Sequence, residues 1–316
     1  MRLPLRIGTR GSPLALAQTR LVTGALAAAV PELAAEGAIE VVPIRTTGDA
    51  VQGRTLADIG GKGLFTKEID EAMLAGAIDL AVHSAKDLPT LLPEGIVLAA
   101  LTKREDPRDV LLLRPGLESG PGSDPLGLLP PGARVGTASL RRQAQLLARR
   151  PDLEVAPMRG NVGTRLGKLE RGEADATLLA LAGLRRLGLT PPGMLVLSST
   201  VMLPAVAQAA IAITARSGDA DAIGLAGRIG DRPTAVCITA ERGFLAALDG
   251  SCRTPIAGLA TVLPDGRLRL EGLIASPDGR RVARGEWSLT TPPEDLQAVS
   301  AFGLACGEAL AAEARG

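Results

Sequence analysis

Apolar and polar positions switch between two periods along the first two thirds of the chain. Leu5–Thr9 reads as a short strand. Ser12-Pro13 then opens a helix, with Ser at the N-cap and Pro at the first helical position, and the stretch from Leu14 to Ala29 continues it. Glu40–Thr46 is a second strand. The Gly-rich turn Gly60-Gly61-Lys62-Gly63 leads into a helix over Leu64–Leu74, Gly76 stops it, and Asp79–Ser84 is a third strand.

The same order of signals returns later. Arg6–Gln18 (RIGTRGSPLALAQ) and Arg134–Gln145 (RVGTASLRRQAQ) both run strand, Gly-Thr, Ser, helix. Leu169–Asp175, followed by apolar Ala176–Leu181, echoes Leu74–Asp79 and its strand. The repetition predicts two α/β lobes with parallel strands and helical crossovers. Between them, Arg114–Ala133 is rich in Pro and Gly and reads as an irregular surface connection. The last third changes character. A helix over Val236–Leu248 ends at Gly250, and three alternating segments follow at Ile256–Leu263, Arg267–Ser276 and Arg280–Thr290. Asp265-Gly266 and Asp278-Gly279 separate them as hairpin turns. Thr291-Pro-Pro-Glu294 forms a capping box with a helix behind it. This predicts a small α+β domain with a three-stranded antiparallel sheet.

Composition narrows the function classes. The length of 316 residues suits two or three domains, and three units fit it better than two. Charges nearly cancel, 35 Lys and Arg against 34 Asp and Glu, which argues against a general nucleic-acid binder. There are three Phe, one Trp and no Tyr, so cores must come from Leu, Ala, Val and Ile, and stacking on a ligand ring has few candidates. No long uncharged apolar run predicts a membrane span, and Arg6 and Arg10 stand where an export signal needs apolar residues. Cys237, Cys252 and Cys306 lie far apart, so a cytoplasmic chain without a disulfide framework is expected. With His83 as the single histidine, no metal is expected.

Candidate chemistry gathers at a few points. Ser12 and Ser139 mark helix N-termini just after strands, with Arg10 beside the first and Arg141 and Arg142 beside the second. The stretch MRGNVGTRLGK adds Arg159, Arg165 and Lys168. Together these suit a ligand with several negative groups, although each Arg alone reads equally as a solvated helix charge. A phosphate loop fails on spacing, because Gly163–Gly167 is one residue short and Leu169 follows Lys168. His83, Ser84, Lys86 and Asp87 lie at the end of a strand. Adjacent strand residues face opposite ways, so His83 and Ser84 make a poor nucleophile–base pair. Asp87 is the better acid/base candidate, with a solvated Lys86–Asp87 pair as the alternative. Cys252 sits in a turn beside Arg253, a setting that exposes the sulfur and favours thiolate, whereas Cys237 and Cys306 lie in apolar runs and read as core. Three functions stay open at this level: an enzyme using Asp87 and Cys252, a non-catalytic binder of an anionic metabolite, and a generic cysteine-nucleophile transferase.

Seven stretches together resemble the porphobilinogen deaminase (hydroxymethylbilane synthase) family: IGTRGSPLALAQ, GGKGLFTKEID, AVHSAKDLPT, REDPRDVLL, VGTASLRRQAQL, RRPDLEVAPMRGNVGTRLGKLERGEADATLLALAGLRRLG and DGSCRTPIAG. They run in the family's order from the amino terminus to about residue 258. The resemblance implies two type II periplasmic-binding-protein-like lobes plus the C-terminal domain, with lobe one at 1–103 and 204–221, lobe two at 104–203, and the last domain at 222–316. It implies a transferase of tetrapyrrole (porphyrin, heme) biosynthesis. Such an enzyme joins four porphobilinogen molecules head to tail with loss of ammonia and frees hydroxymethylbilane by hydrolysis. A dipyrromethane cofactor is implied as a thioether on Cys252, and Asp87 as the catalytic aspartate. Ser84, Lys86, Asp87, Ser139, Arg141 and Arg142 are implied around the cofactor. Arg10, Ser12, Phe65, Arg159, Arg165 and Arg186 are implied around substrate, a mobile loop at Gly48–Gly60, and a monomer overall. The chain departs from the family's P-A-V-G-Q-G at Pro204-Ala-Val-Ala207-Gln208-Ala-Ala210, with Ala207 and Ala210 as candidate added methyls. It also carries Ser251 where Gly is common and Thr214 where an acidic residue is usual.

Overall fold

The computed structural model describes residues 3–50, 65–117, 124–248, 254–290 and 295–315. The described residues pack as two compact units, one drawn from those within 3–50, 65–105 and 209–235, the other from those within 106–208 and 236–315. The second lobe and the C-terminal domain therefore belong to one unit.

The first unit is an α/β lobe. Its elements are β1 (Leu5–Arg10), α1 (Pro13–Ala29), β2 (Ile39–Ile44), the short α2 (Thr47–Ala50), α3 (Lys67–Leu74), β3 (Leu80–Ser84) and β4 (Ile96–Leu101). The sheet order is β2-β1-β3, then a late strand, Ile211–Arg216, then β4. β1 runs parallel to β2 and β3, and the late strand is antiparallel to both its neighbours. Val22 and Leu26 of α1 pack on Leu5, Ile7, Leu80 and Val82, which the strands' apolar runs supply. The Ser12 side chain accepts from the Ala15 amide, so the first helix starts where its N-cap and Pro13 require.

The second lobe repeats the plan. Its elements are β5 (Asp109–Leu113), β6 (Arg134–Gly136), α4 (Leu140–Arg149), β7 (Glu154–Ala156), α5 (Val162–Glu170), β8 (Ala176–Ala180), α6 (Leu181–Arg186) and β9 (Met194–Val196). The order is β7-β6-β8-β5-β9, with β6 parallel to β7 and β8 and β5 antiparallel to its neighbours. This matches the first lobe strand for strand, with β6 and α4 in the places of β1 and α1. In each sheet the antiparallel strand is entered from the other lobe's part of the chain: β5 in one, the strand Ile211–Arg216, now β10, in the other. Both lobes thus share one strand order. The connection after β5 corrects one expectation. Leu126 and Leu129 are fully buried in this lobe's core beside Val135 and Leu146, so the segment is a packed element as well as a turn.

Helices α7 (Ala220–Gly227) and α8 (Arg232–Ala247) lead to the C-terminal domain, an antiparallel meander of β11 (Ile256–Val262), β12 (Leu268–Ala275) and β13 (Val282–Leu289), closed by α9 (Leu296–Glu313). Gly258, Gly272 and Gly285 stand opposite one another across its three strands. The row makes room for Phe244 and Trp287, whose rings lie 6.1 Å apart: a Cβ on Gly272 would meet Phe244 Cε2 at 2.6 Å. Two of the four aromatic residues are thus spent on one small core. The last helix begins later than the Thr291 capping box suggested. Its N-cap is Asp295, whose carboxylate accepts from Gln297 N, and residues 291–294 lie outside the described residues. Cys237 and Cys306 are buried, as their apolar surroundings implied. Among the described residues no helix is long and apolar enough to cross a membrane.

Candidate functional site

β1 and β3 are parallel neighbours, so their carboxyl ends emerge side by side. That places Arg10, Ser12, Ser84 and Asp87 around one pocket of the first lobe, with Phe65 and His83 also in its wall. Arg10 is sandwiched. Its guanidinium carbon lies 4.2 Å from the Phe65 ring centroid, and its Nη1 lies 3.7 Å from Asp87 Oδ2. Ring and carboxylate both favour a cation there, and the pair remains partly open to solvent. Lys86 is exposed in the turn Ala85–Asp87. Ser84 Oγ and the Gln18 side-chain amide are hydrogen-bonded at 3.0 Å, so both atoms are held at the pocket's edge.

His83 is buried, and its Nε2 lies 3.2 Å from Thr214 Oγ1 on β10. Burial, assisted by the Arg10 charge, pushes the ring down to about 4, so it is neutral near pH 7. His83 and Ser84 therefore bond different partners and do not form a catalytic pair. The departure at Thr214 gains a physical account: a neutral hydroxyl meets a neutral imidazole.

In the second lobe, Ser139 caps α4 by accepting from Arg142 N at 3.4 Å. Arg141 and Arg142 do not extend as free helix-end cations, which the sequence had suggested. Both are buried, and their Nη2 atoms donate to the two oxygens of Asp109 at 2.7 and 2.8 Å. Arg141 Nη1 donates to Leu203 O at 2.6 Å and Arg142 Nη1 to Leu178 O at 2.8 Å. Gln208 Nε2 adds a third donor to Asp109 at 2.8 Å. The reason is that Asp109 opens β5 with no exposed surface and needs counter-charge from the facing helix. Burial alone would raise its carboxyl, but the two guanidinium charges and their hydrogen bonds outweigh this and hold it below the usual carboxylate range. Two cations on one anion leave this cluster net positive, and both Nε atoms are buried without a partner.

Arg159 and Arg165 continue the positive region. Arg165 Nε donates to Gly160 O at 2.8 Å, and Lys168 Nζ to Arg159 O at 3.3 Å. A buried Nη1 of Arg159 has no hydrogen-bond partner. Burial, then the charges of Arg142 and Arg159, push Arg165 down to about 10. Arg165 thus stands among like charges, with Arg142 and Arg159 as its charged neighbours. Arg186 is half-buried at the last turn of α6. Cys252 and Ser251 lie outside the described residues, as do positions 51–60 of the loop expected at Gly48–Gly60.

Sequence reasoning missed Asp109, Gln208 and Thr214 as parts of these arrangements. Asp109 carried a usable signal, a lone carboxylate opening the apolar strand DVLLL. It also placed the second alteration of the P-A-V-G-Q-G segment one residue late. The left-handed backbone positions are Ala207 (φ +60°) and Ala209 (φ +73°), not Ala210. Ala207 is held there by Glu241, whose oxygens accept from Ala207 N at 2.6 Å and Ala260 N at 2.8 Å.

Fold and site define a two-lobed α/β protein with a small α+β domain, each lobe carrying cationic side chains at its own strand and helix ends. The comparisons specify it further. Residues 5–224 match the porphobilinogen deaminase, dipyromethane cofactor binding domain, and residues 235–312 the porphobilinogen deaminase, C-terminal domain. Porphobilinogen deaminase of Nitrobacter winogradskyi is 56% identical over 273 residues, covering 86% of this chain and 83% of the relative. The chloroplastic porphobilinogen deaminase of Oryza sativa subsp. japonica is 50% identical over 310 residues, covering 98% and 84%. A solved structure, a periplasmic sulfonate-binding protein from Methylobacillus flagellatus, is 16% identical over 75% of this chain and 66% of its own, with a TM-score of 0.39. The chain belongs to the porphobilinogen deaminase family.

Proposed function

We propose that the chain condenses four porphobilinogen molecules into hydroxymethylbilane, with Asp87 as the catalytic carboxylate and Cys252 as the anchor of a dipyrromethane cofactor. The observation that carries the ligand-binding part is the Arg142–Arg159–Arg165 group. It holds a buried guanidinium nitrogen with no partner and a cation depressed by burial and then by the charges of its neighbours. Each pyrrole of this ligand class carries two carboxylates, so the donor set fits the cofactor and the growing chain. One charge-assisted hydrogen bond contributes about 1.5–3 kcal/mol, and a few suffice for micromolar binding, which needs about 8 kcal/mol.

When bound, the cofactor supplies a nucleophilic pyrrole carbon to which the first substrate is joined. The chain's own residues do the rest. Arg10, Lys86, Ser12, Ser84 and Ser139 orient carboxylates. Arg159, Arg165 and Arg186 hold further side chains of the elongating product. Phe65 keeps Arg10 in place beneath the ring-bearing ligand. Asp87, 3.7 Å from Arg10, accepts hydrogen bonds from pyrrole N–H groups and stabilises the positive charge that develops as ammonia leaves. Arg141 acts through Asp109 on Arg142. A cytoplasmic monomer fits this reading, with the buried thiols Cys237 and Cys306 kept reduced.

Intact-mass measurement tests the proposal. The purified protein should carry two pyrrole units that map to the Cys252 peptide and colour with Ehrlich's reagent, and the Cys252→Ser variant should carry none. An active protein without the adduct overturns the reading. An unmodified protein that only binds the substrate favours the non-catalytic alternative.

A further inference from the structure

Helix α4 carries Ser139 at its cap and Arg142 in its first turn. Its other flank is covered by the turn between β12 and β13. Gly279 in that turn (φ +70°) lies against the helix backbone itself. A Cβ at this position would stand 2.5 Å from Ala144 O and 2.9 Å from the Leu147 carbonyl carbon, and nearer still to Ala148 N. None of these atoms belongs to a side chain that can swing aside.

The turn is braced. Ser276 N donates to Arg281 O at 2.9 Å, Gly279 N to Ser276 O at 2.9 Å, and Arg281 N to Ser276 Oγ at 3.0 Å. Gln143 of α4 donates to Pro277 O at 3.1 Å, so the helix is bonded to the turn as well as touching it. Ala144 also shares an apolar cluster with Leu203, Leu273 and Ala275. The other hairpin turn of the same sheet offers a natural contrast. Gly266 has nearly the same backbone (φ +82°), and a Cβ on it would meet nothing within 4 Å.

We propose that the β12–β13 turn is a positioning element for the ligand-binding end of α4. The backbone contact at Gly279 sets how deeply the helix sits, and so holds Arg142 at 2.8 Å from both Asp109 and Leu178 O while it stands beside Arg165. This rests on the reading of Arg142, Arg159 and Arg165 as carboxylate-binding. A methyl group on residue 279 forces helix and turn apart by close to 1 Å, the gap between 2.5 Å and an ordinary contact of 3.4 Å. A misplacement of about 1 Å far from the chemistry can cost on the order of a hundredfold in activity.

The test compares Gly279→Ala with Gly266→Ala in the full-length protein. Both put alanine in a left-handed turn, so the backbone strain is matched, and only the first touches α4. KM and kcat for porphobilinogen are measured at a temperature where both variants are folded, with amide hydrogen exchange of residues 140–149 as a readout independent of turnover. Gly279→Ala should raise KM about tenfold or more, as loss of one charge-assisted contact would, with a much smaller change in kcat. Its α4 amides should exchange faster than those of wild type. Gly266→Ala should match wild type in both. Equal KM and equal α4 exchange in the two variants overturn the proposal, because the turn then yields instead of the helix. Wild-type protein that does not consume porphobilinogen overturns the functional reading instead, and hydrogen exchange still decides whether the contact positions α4.

Discussion

Replacing Asp109 with Asn removes one charge from an otherwise unchanged shape, at a point where the structure makes that charge hard to lose. The carboxylate has no exposed surface and accepts from Arg141, Arg142 and Gln208 at 2.7–2.8 Å. Asn keeps one acceptor oxygen but turns an N–H₂ toward a guanidinium donor. Two buried cations then share no anion. Removing one partner of a buried ion pair costs about 3–5 kcal/mol, because the uncompensated charge stays buried. Against a typical domain stability of about 5–15 kcal/mol, that is a large fraction. Urea unfolding measures it as a lower midpoint at unchanged slope. Asp265→Asn serves as the control, since its pair with Arg267 is exposed and screened by solvent. The pH dependence gives a second check. The folded-state pKa of Asp109 lies below its unfolded value of about 3.9, so its contribution is fully present above that pH and falls away below it. The gap between wild type and variant should therefore narrow as pH drops below about 4. A destabilisation at pH 7 no larger than that of the Asp265 control would refute the internal ion triad.

Two further outcomes follow from the geometry. His83 has a folded-state pKa of about 4 against an unfolded value of about 6.5, so its contribution is full above pH 6.5 and is lost as pH falls toward 4, by about 3 kcal/mol in all. The sole histidine gives an unambiguous NMR titration, and a midpoint above 6 contradicts the buried, neutral ring. Ala207→Gly and Ala209→Gly each remove about 1–2 kcal/mol of left-handed strain but give back about 0.4–1 kcal/mol through the freer unfolded chain. Each should raise the melting temperature slightly in calorimetry, and a fall in either would count against the strain at these two positions.

What the sequence made legible was local. Strand and helix limits lay within a few residues wherever a period or a cap defined them, as at Leu5–Arg10, Pro13–Ala29 and the three C-terminal strands. Ser12 and Ser139 cap their helices because an N-cap needs only its own next three residues. Errors arose where composition stood in for packing. The Pro- and Gly-rich connection hides Leu126 and Leu129 in the core, and Thr291-Pro-Pro-Glu294 imitates a cap that Asp295 supplies. The long-range polar pairs were not legible at all. Asp109 meets Arg141 across 32 residues and Gln208 across 99, and His83 meets Thr214 across 131. No period or spacing encodes such meetings; they follow from strand order, which brings β5 beside β8 and β10 beside β3.

The same contacts sort the arginines, which dominate this chain's cations. Arg6 and Arg216 are tied to Asp79, Arg150 to Asp152 and to the Leu126 and Leu129 carbonyls, and Arg141 to Asp109 and Leu203 O. An arginine of this kind must give up bonds to its own chain before it can bind anything else, so a ligand gains little from it. Arg159 and Arg165 differ: among the described residues neither has a carboxylate within 4 Å, and one Arg159 nitrogen is buried unpartnered. For these two, an arriving carboxylate replaces repulsion between cations with a charge-assisted bond, worth about 1.5–3 kcal/mol each. With Phe244 and Trp287 committed to the C-terminal core, Phe302 half-buried on α9 and Phe65 lying under Arg10, ring stacking has little left to offer the proposed pyrrole ligand. On the proposed function, selection of the ligand then falls to its carboxylates, and within the second lobe chiefly to Arg159 and Arg165; Arg142, tied to Asp109 and Leu178 O as Arg141 is to Asp109 and Leu203 O, adds its charge beside Arg165.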